Sequence, residues 1–195
     1  MRLLSEAYPI EWGVLFGHSL GRRYNLCKNK LRLNDLYNRR LRLAAHLCGQ
    51  YAHDFQAAKM DWLMQFERIQ VNMKTLDYRL NTLEQRGLMY GRHIIIQHRA
   101  TIGGFYGLVL QQVVDNSGGR GKVISNFPQP PRFCPTIGYA GGINPENIKT
   151  ILNKAREAAG HIPFWLDMET GVRTDDHFDL DKCQSVCEQI WGKRL

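Results

Sequence analysis

Short apolar runs alternate along this chain with longer polar segments whose apolar residues recur at helical spacing, which predicts a mostly parallel sheet covered by helices. The expected strands are Ile10 to Phe16, Leu41 to Cys48, Arg68 to Asn72, Arg92 to His98, Leu108 to Val114, Pro135 to Ala140 and Phe164 to Met168. The fourth is the clearest buried one, because Ile94, Ile95 and Ile96 are consecutive and β-branched. Helices are expected around Leu31 to Arg40, from an N-cap at Asp54 through Phe66, and from Leu76 to Arg86 with Gly87 as its stop. In the second of these, Phe55, Ala58, Trp62 and Phe66 share one face. Two more run to Ala159, with Asn144 as cap and Pro145 at the start, and from Leu180 to Trp191. After the fourth strand, Gly103, Gly104 and Gly107 make a regular helix costly, at roughly 1 kcal/mol per internal glycine. The segment Ser125 to Pro135 carries four prolines and reads as an irregular loop, a lid or pocket rim beside a strand end.

The predicted fold class is α/β, a TIM-barrel-like parallel β/α barrel of seven units that lacks the first strand, in one domain over residues 1–195. A closed eight-stranded barrel typically takes ~250 residues. Either the first strand is lost or it precedes Met1. An open barrel leaves unpaired edges, which predicts self-association as a homodimer.

Composition changes the picture little. The apolar share of 44% and charged share of 23% suit a globular core. Nothing at the N-terminus reads as a signal peptide and no run is long enough to span a bilayer, so a soluble, cytoplasmic protein with no membrane partner is expected. Cys27, Cys48, Cys134, Cys183 and Cys187 are odd in number and lack C-x-x-C spacing, which argues against a disulfide framework or zinc site and fits a reducing compartment. No metal and no cofactor is expected. The formal charge of +8 suits a polyanion, but Arg22, Arg23, Lys28, Lys30, Arg32, Arg39, Arg40 and Arg42 are dispersed without an aromatic platform. Nucleic acid is therefore not the expected partner, and salt-dependent RNA binding is a third alternative function.

Chemistry is expected at the C-terminal strand ends, where loops and helix N-termini converge in parallel β/α folds. After the fifth strand comes Asp115, then Ser117, Gly118, Gly119, Arg120 and Gly121, whose glycines let N–H groups approach an anion. After the sixth come Gly141 and Gly142, leading into Asn144-Pro145-Glu146-Asn147; after the seventh, Asp167-Met168-Glu169-Thr170-Gly171-Val172. Two successive glycine turns at the last two strands suit a phosphate. His46, Asn72, Gln97 and His98 stand at or near strand ends as polar rim positions.

Gly141 to Ile148 followed by Leu166 to Val172 resembles the last two strand-loop elements of the phosphoribosylanthranilate isomerases. Val114-Asp115 with Gly118-Gly119-x-Gly121, and Trp12 to Phe16 ahead of Arg23-Tyr24, extend that resemblance over nearly the whole chain. Glu11 to Gly13, His46 to Gly49 and Ser117 to Gly121 are closer still to an uncharacterised isomerase-like branch with HxCG and SGGxG motifs. The resemblance implies that Gly141-Gly142 and Gly171-Val172 bind a ribose 5-phosphate end, Asp115 is the general acid of sugar opening, and Arg23 holds a carboxylate. The family's general base, a cysteine on the first strand, has no counterpart here. Chain order places Cys48 on the counterpart of that family's third strand, and it is a candidate base, or a buried apolar cysteine.

Two functions follow. The first is isomerase-like acid-base chemistry on a phosphorylated sugar or nucleotide, with Asp115 and His46 or Cys48 as catalytic groups. Its ligand contacts are Arg23, Asn72, Gln97, Ser117 to Gly121, Gly141, Gly142, Gly171 and Val172. The alternative is a non-catalytic protein that sequesters a nucleotide-derived signal.

Overall fold

The computed structural model describes residues 1–17, 41–57, 60–73, 78–98, 107, 109–115 and 121–195. Seven strands follow one another in one parallel sheet in chain order. They are β1 Trp12–Phe16, β2 Leu43–Cys48, β3 Arg68–Asn72, β4 His93–His98, β5 Leu110–Asp115, β6 Ile137–Ala140 and β7 Phe164–Asp167. With helices between them this is an α/β fold of TIM-barrel type with one strand fewer than eight. The expected helix over Leu31 to Arg40 lies outside the described residues. By its contacts the chain divides into two compact units, Met1–Gln97 with Gly107–Leu110, and His98–Tyr106 with Gln111–Leu195.

In the first unit, side chains alternate across β1 to β4 and the two faces differ. Trp12, Val14, Phe16, Leu43, Ala45, Leu47, Ile69, Val71, Ile94 and Ile96 form the apolar face, and all are buried. Helix α2, Gln50–Ala57, and helix α3, Leu80–Tyr90, add Phe55 and Leu83 to this core. Phe16 packs edge-on against Phe66 at 5.7 Å and tilted against Trp62 at 4.9 Å. Helix α1, Arg2–Ala7, which the hydrophobic pattern did not predict, places Ser5 where its hydroxyl oxygen accepts a 2.7 Å bond from the Trp12 indole.

Two expected helices are corrected here. Asp54 is not an N-cap: it lies inside α2 and accepts a hydrogen bond from Gln50 one turn earlier, and Asp61–Gln65 is a separate 3-10 turn ahead of Phe66. Gly87 does not end its helix either. It sits within α3 because a Cβ there would come within 2.6 Å of Val109 and 2.9 Å of the Arg92 carbonyl, while the left-handed Gly91 is the true C-cap.

The second unit holds β6, β7, most of β5, helix α4 Ile148–Ala159 and helix α5 Leu180–Trp191. A short antiparallel hairpin, β8 Arg173–Thr174 and β9 His177–Phe178, precedes α5. Tyr139 is fully buried, with its ring against Phe127 and Phe164 and its hydroxyl donating 3.0 Å to the Pro128 carbonyl. Burial pushes that phenol up to about 12. Burial likewise raises the α5 thiols, Cys183 to about 12 and Cys187 to about 11, so both stay protonated. Cys48, Cys134, Cys183 and Cys187 are unbridged. Among the described residues, no helix is long and apolar enough to cross a membrane.

Candidate functional site

The strand ends of the second unit bring one group of expected residues together. Asp115, Ala140 and Asp167 are register partners at the C-terminal ends of β5, β6 and β7, so their side chains share one sheet face. Asp115 and Asp167 therefore stand about two strand spacings, ~10 Å, apart at the backbone, with only a methyl group between them. Around them is a cleft of about 60 Å³, lined also by Gly121, Gly141, Gly142, Ile143 and the stretch from Met168 to Gly171. That volume is small beside the roughly 300–1,000 Å³ of sites that enclose whole drug-sized ligands, and it suits one end of a ligand.

Gly141 explains how the cleft closes at its back. Its φ is +117°, and a Cβ there would lie 2.9 Å from the Lys122 carbonyl and 3.4 Å from Asp115 Oδ1. The Ile124 N–H donates 3.1 Å to the Gly141 carbonyl, which ties the segment after Gly121 to the end of β6. Gly142 and Gly171 also border the cleft, whereas Val172 is buried and gives its N–H to the Glu169 carbonyl.

Asn144 works as an N-terminal cap, though α4 proper begins at Ile148. Its Oδ1 accepts from the N–H groups of Glu146 and Asn147 at 3.1 and 3.0 Å, its own N–H donates to Asn147 Oδ1, and Asn147 Nδ2 donates 2.8 Å to the Gly142 carbonyl. The amides of Glu146, Asn147 and Ile148, at the entry to this helix, are thus already satisfied. The charged side chains lining the cleft among the described residues are Asp115, Asp167 and Glu169; Glu169 pairs with Arg173 at 3.2 Å. Asp167 was not singled out from the sequence. The available signal was its position at a strand end in a segment already marked as chemical.

The proline-rich segment is corrected. Residues 125–135 contribute nothing to the cleft lining; Phe127 and Pro128 pack on Tyr139, whose side chain points to the face opposite Ala140. A larger open depression of about 290 Å³ lies at Thr174 and His177 to Asp181. Its main polar group is already engaged, since Asp179 caps α5 by accepting from the N–H groups of Asp181 and Lys182. The strand-end cleft is the better site on chemistry despite its smaller size.

A second group gathers in the first unit. His46, Cys48, Asn72 and Gln97 lie on the sheet face opposite the apolar core, and Gln70, which the sequence reading passed over, completes the row. Gln70 Nε2 donates 2.9 Å to Asn72 Oδ1, and Asn72 Nδ2 donates 3.2 Å to Cys48 Sγ. Tyr78 hydroxyl bridges the Val71 and Gln97 carbonyls. His98 is buried, and burial holds its imidazole below the usual histidine range. Arg23, Ser117, Gly118, Gly119 and Arg120 lie outside the described residues. Among the described residues, no group of three His, Cys, Asp or Glu side chains is placed to hold a metal ion. Searches of protein-family models, curated proteins and solved structures find no match to this chain.

Proposed function

We propose that the cleft at the ends of β5, β6 and β7 holds the phosphate end of a ribose phosphate or nucleotide, with Asp115 as the acid-base group beside it. The observation that carries this reading is the convergence of Asp115, Gly121, Gly141, Gly142 and Gly171 on one phosphate-sized cleft at strand ends. Side-chain-free backbone there lets N–H groups approach an anion closely. Asp115 is 6% exposed, which suits a carboxyl that passes a proton to a bound group rather than to bulk water. The resemblance to the phosphoribosylanthranilate isomerases points to the same residues and would make the proton acceptor a sugar ring oxygen.

One observation favours the capture reading over turnover. The described cleft lining offers carboxylates and backbone, with neither a thiol nor an imidazole beside Asp115. A protein that only sequesters a nucleotide-derived signal needs no such partner.

A thermal-shift screen with inorganic phosphate, ribose phosphates and linear and cyclic nucleotides tests the site, because ligand at 100 times its Kd adds about 2.7 kcal/mol. Chromatography of each stabilising compound after incubation separates the two readings: conversion that Asp115→Asn removes establishes the enzyme, and intact recovery establishes capture. No shift with any phosphate would overturn the site. We also infer self-association, since β1 and β7 end the described sheet order and strand edges are usually covered. Light scattering that reports a monomer at micromolar concentration would refute it.

A further inference from the structure

The polar face of the first unit has a physical oddity. Parallel sheets are normally apolar on both faces, yet here one face carries an imidazole, a thiol and three carboxamides toward the C-terminal strand ends. Gln70 is only 4% exposed, and of its side-chain groups Nε2 alone is engaged among the described residues, with Asn72. His46 is half-buried, and its imidazole makes no hydrogen bond or ion pair with the described residues. Its ring is held by shape: it lies over Gly13 on the neighbouring strand, where a Cβ would stand 3.0 Å from Nε2 and 3.1 Å from Cε1. Packing thus fixes the imidazole, and among the described residues its nitrogens have no hydrogen-bond partner.

The chemistry of the row narrows what that is. Arg68, the cation on this face among the described strand residues, pairs with Glu11 at the opposite end of the strands, its Nε donating 2.7 Å to Glu11 Oε2. A charged group brought to the far end would be desolvated without a counter-charge from the described residues. Carboxamides present a donor and an acceptor side by side, the pattern that matches the edge of a heterocyclic base. Cys48 and the ordered Asn72 keep the row rigid, because Gln70 fixes which end of the Asn72 amide faces the sulfur.

We propose that this face recognises the edge of an uncharged nucleobase, with Asn72, Gln70 and Gln97 as hydrogen-bonding contacts and His46 as the imidazole donor or acceptor seated by Gly13. It goes beyond the phosphate reading by assigning the first unit a ligand class of its own, and it is tested without phosphate. Adenosine, guanosine, cytidine and uridine are titrated calorimetrically into the wild-type chain up to about 10 mM, with ribose as control. The expected result is binding of at least one nucleoside and not of ribose, weakened about tenfold or more by Asn72→Leu and by Gln97→Ala. In the histidine carbon-proton spectrum, the His46 resonance should move on adding that nucleoside, and Gly13→Ala should shift its starting position and blunt the response. Absence of nucleoside binding, ribose binding as well as the nucleosides, or unchanged affinity in both folded variants would overturn the proposal. Inorganic phosphate tests the second unit's cleft separately, so either failure is recognised without the other.

Discussion

Replacing Gly141 by alanine should destabilise the second unit by about 2–4 kcal/mol, for two separable reasons. At a φ of +117° an L-residue adopts a conformation that costs of order 1–3 kcal/mol. The added Cβ would also sit 2.9 Å from the Lys122 carbonyl, and that carbonyl cannot retreat freely, because Ile124 is bonded to the Gly141 carbonyl at 3.1 Å. Losing that bond would cost a further ~0.5–1.5 kcal/mol. The matched control is Gly91→Ala, at a left-handed helix cap with nothing within 4 Å of the new Cβ, where only the conformational penalty of ~1–2 kcal/mol applies. Urea unfolding followed by circular dichroism gives both values by linear extrapolation, and thermal melts should fall by roughly 2–4 °C per kcal/mol. A Gly141→Ala loss no larger than that of Gly91→Ala would refute the close approach as the reason for this glycine.

Asn144→Ala should cost about 0.5–2 kcal/mol, since two amides lose their acceptor, while Asn144→Asp keeps the cap. The aspartate variant should nonetheless weaken phosphate binding in a thermal-shift titration, because it adds negative charge beside Gly142 and Gly171. Buried His98 titrates below its unfolded value, so the unfolded chain binds more protons as pH falls. Stability should therefore decline below about pH 6.5, and His98→Gln should flatten that part of the profile in urea melts at successive pH values. Asp179 moves in the other range: bonds from Thr174, Lys182 and Asp181 hold its carboxyl below the usual value. Its stabilising share is intact above about pH 4 and lost as pH falls through the depressed value, so Asp179→Ala should remove an acid-side transition of α5 seen by circular dichroism. Glu11→Gln should destabilise the first unit, because it leaves the partly buried Arg68 guanidinium without its carboxylate; equal urea midpoints would count against that pairing.

The strands were legible because their cause is local. Strand Arg68–Asn72 and helix Leu180–Trp191 match the expected ends; Trp12–Phe16, Leu43–Cys48, His93–His98 and Ile137–Ala140 start one or two residues late, Leu110–Asp115 is shifted toward the C-terminus, and Phe164–Asp167 stops one residue early. Helix boundaries were less so, and the reasons are tertiary. The apolar spacing of Phe55, Trp62 and Phe66 reads as one helix, yet a helix ending at Ala57 and a separate 3-10 turn bury Phe55 and Phe66 equally well and leave Trp62 37% exposed. Gly87 looked like a stop because glycine usually is one; the approach of Val109 and the Arg92 carbonyl that requires it is invisible along the chain.

The candidate sites show the same division at the level of single residues. Asp115 and Gly141 were readable as chemistry at strand ends, but the placement of Asp167 on the same face as Asp115 depends on register across β6, which no motif states. Gln70 was passed over because a glutamine two residues before a strand end looks like any solvated position, and its burial and its bond to Asn72 show otherwise. Glu11-Trp12-Gly13 and His46-Leu47-Cys48-Gly49 read as two separate signatures. Folded, they interlock: Glu11 ties Arg68, Gly13 makes room for His46, and Cys48 accepts from Asn72. The glycine of the first motif is thus explained by the histidine of the second, so a change at Gly13 should be read out at His46 before it is read out in stability.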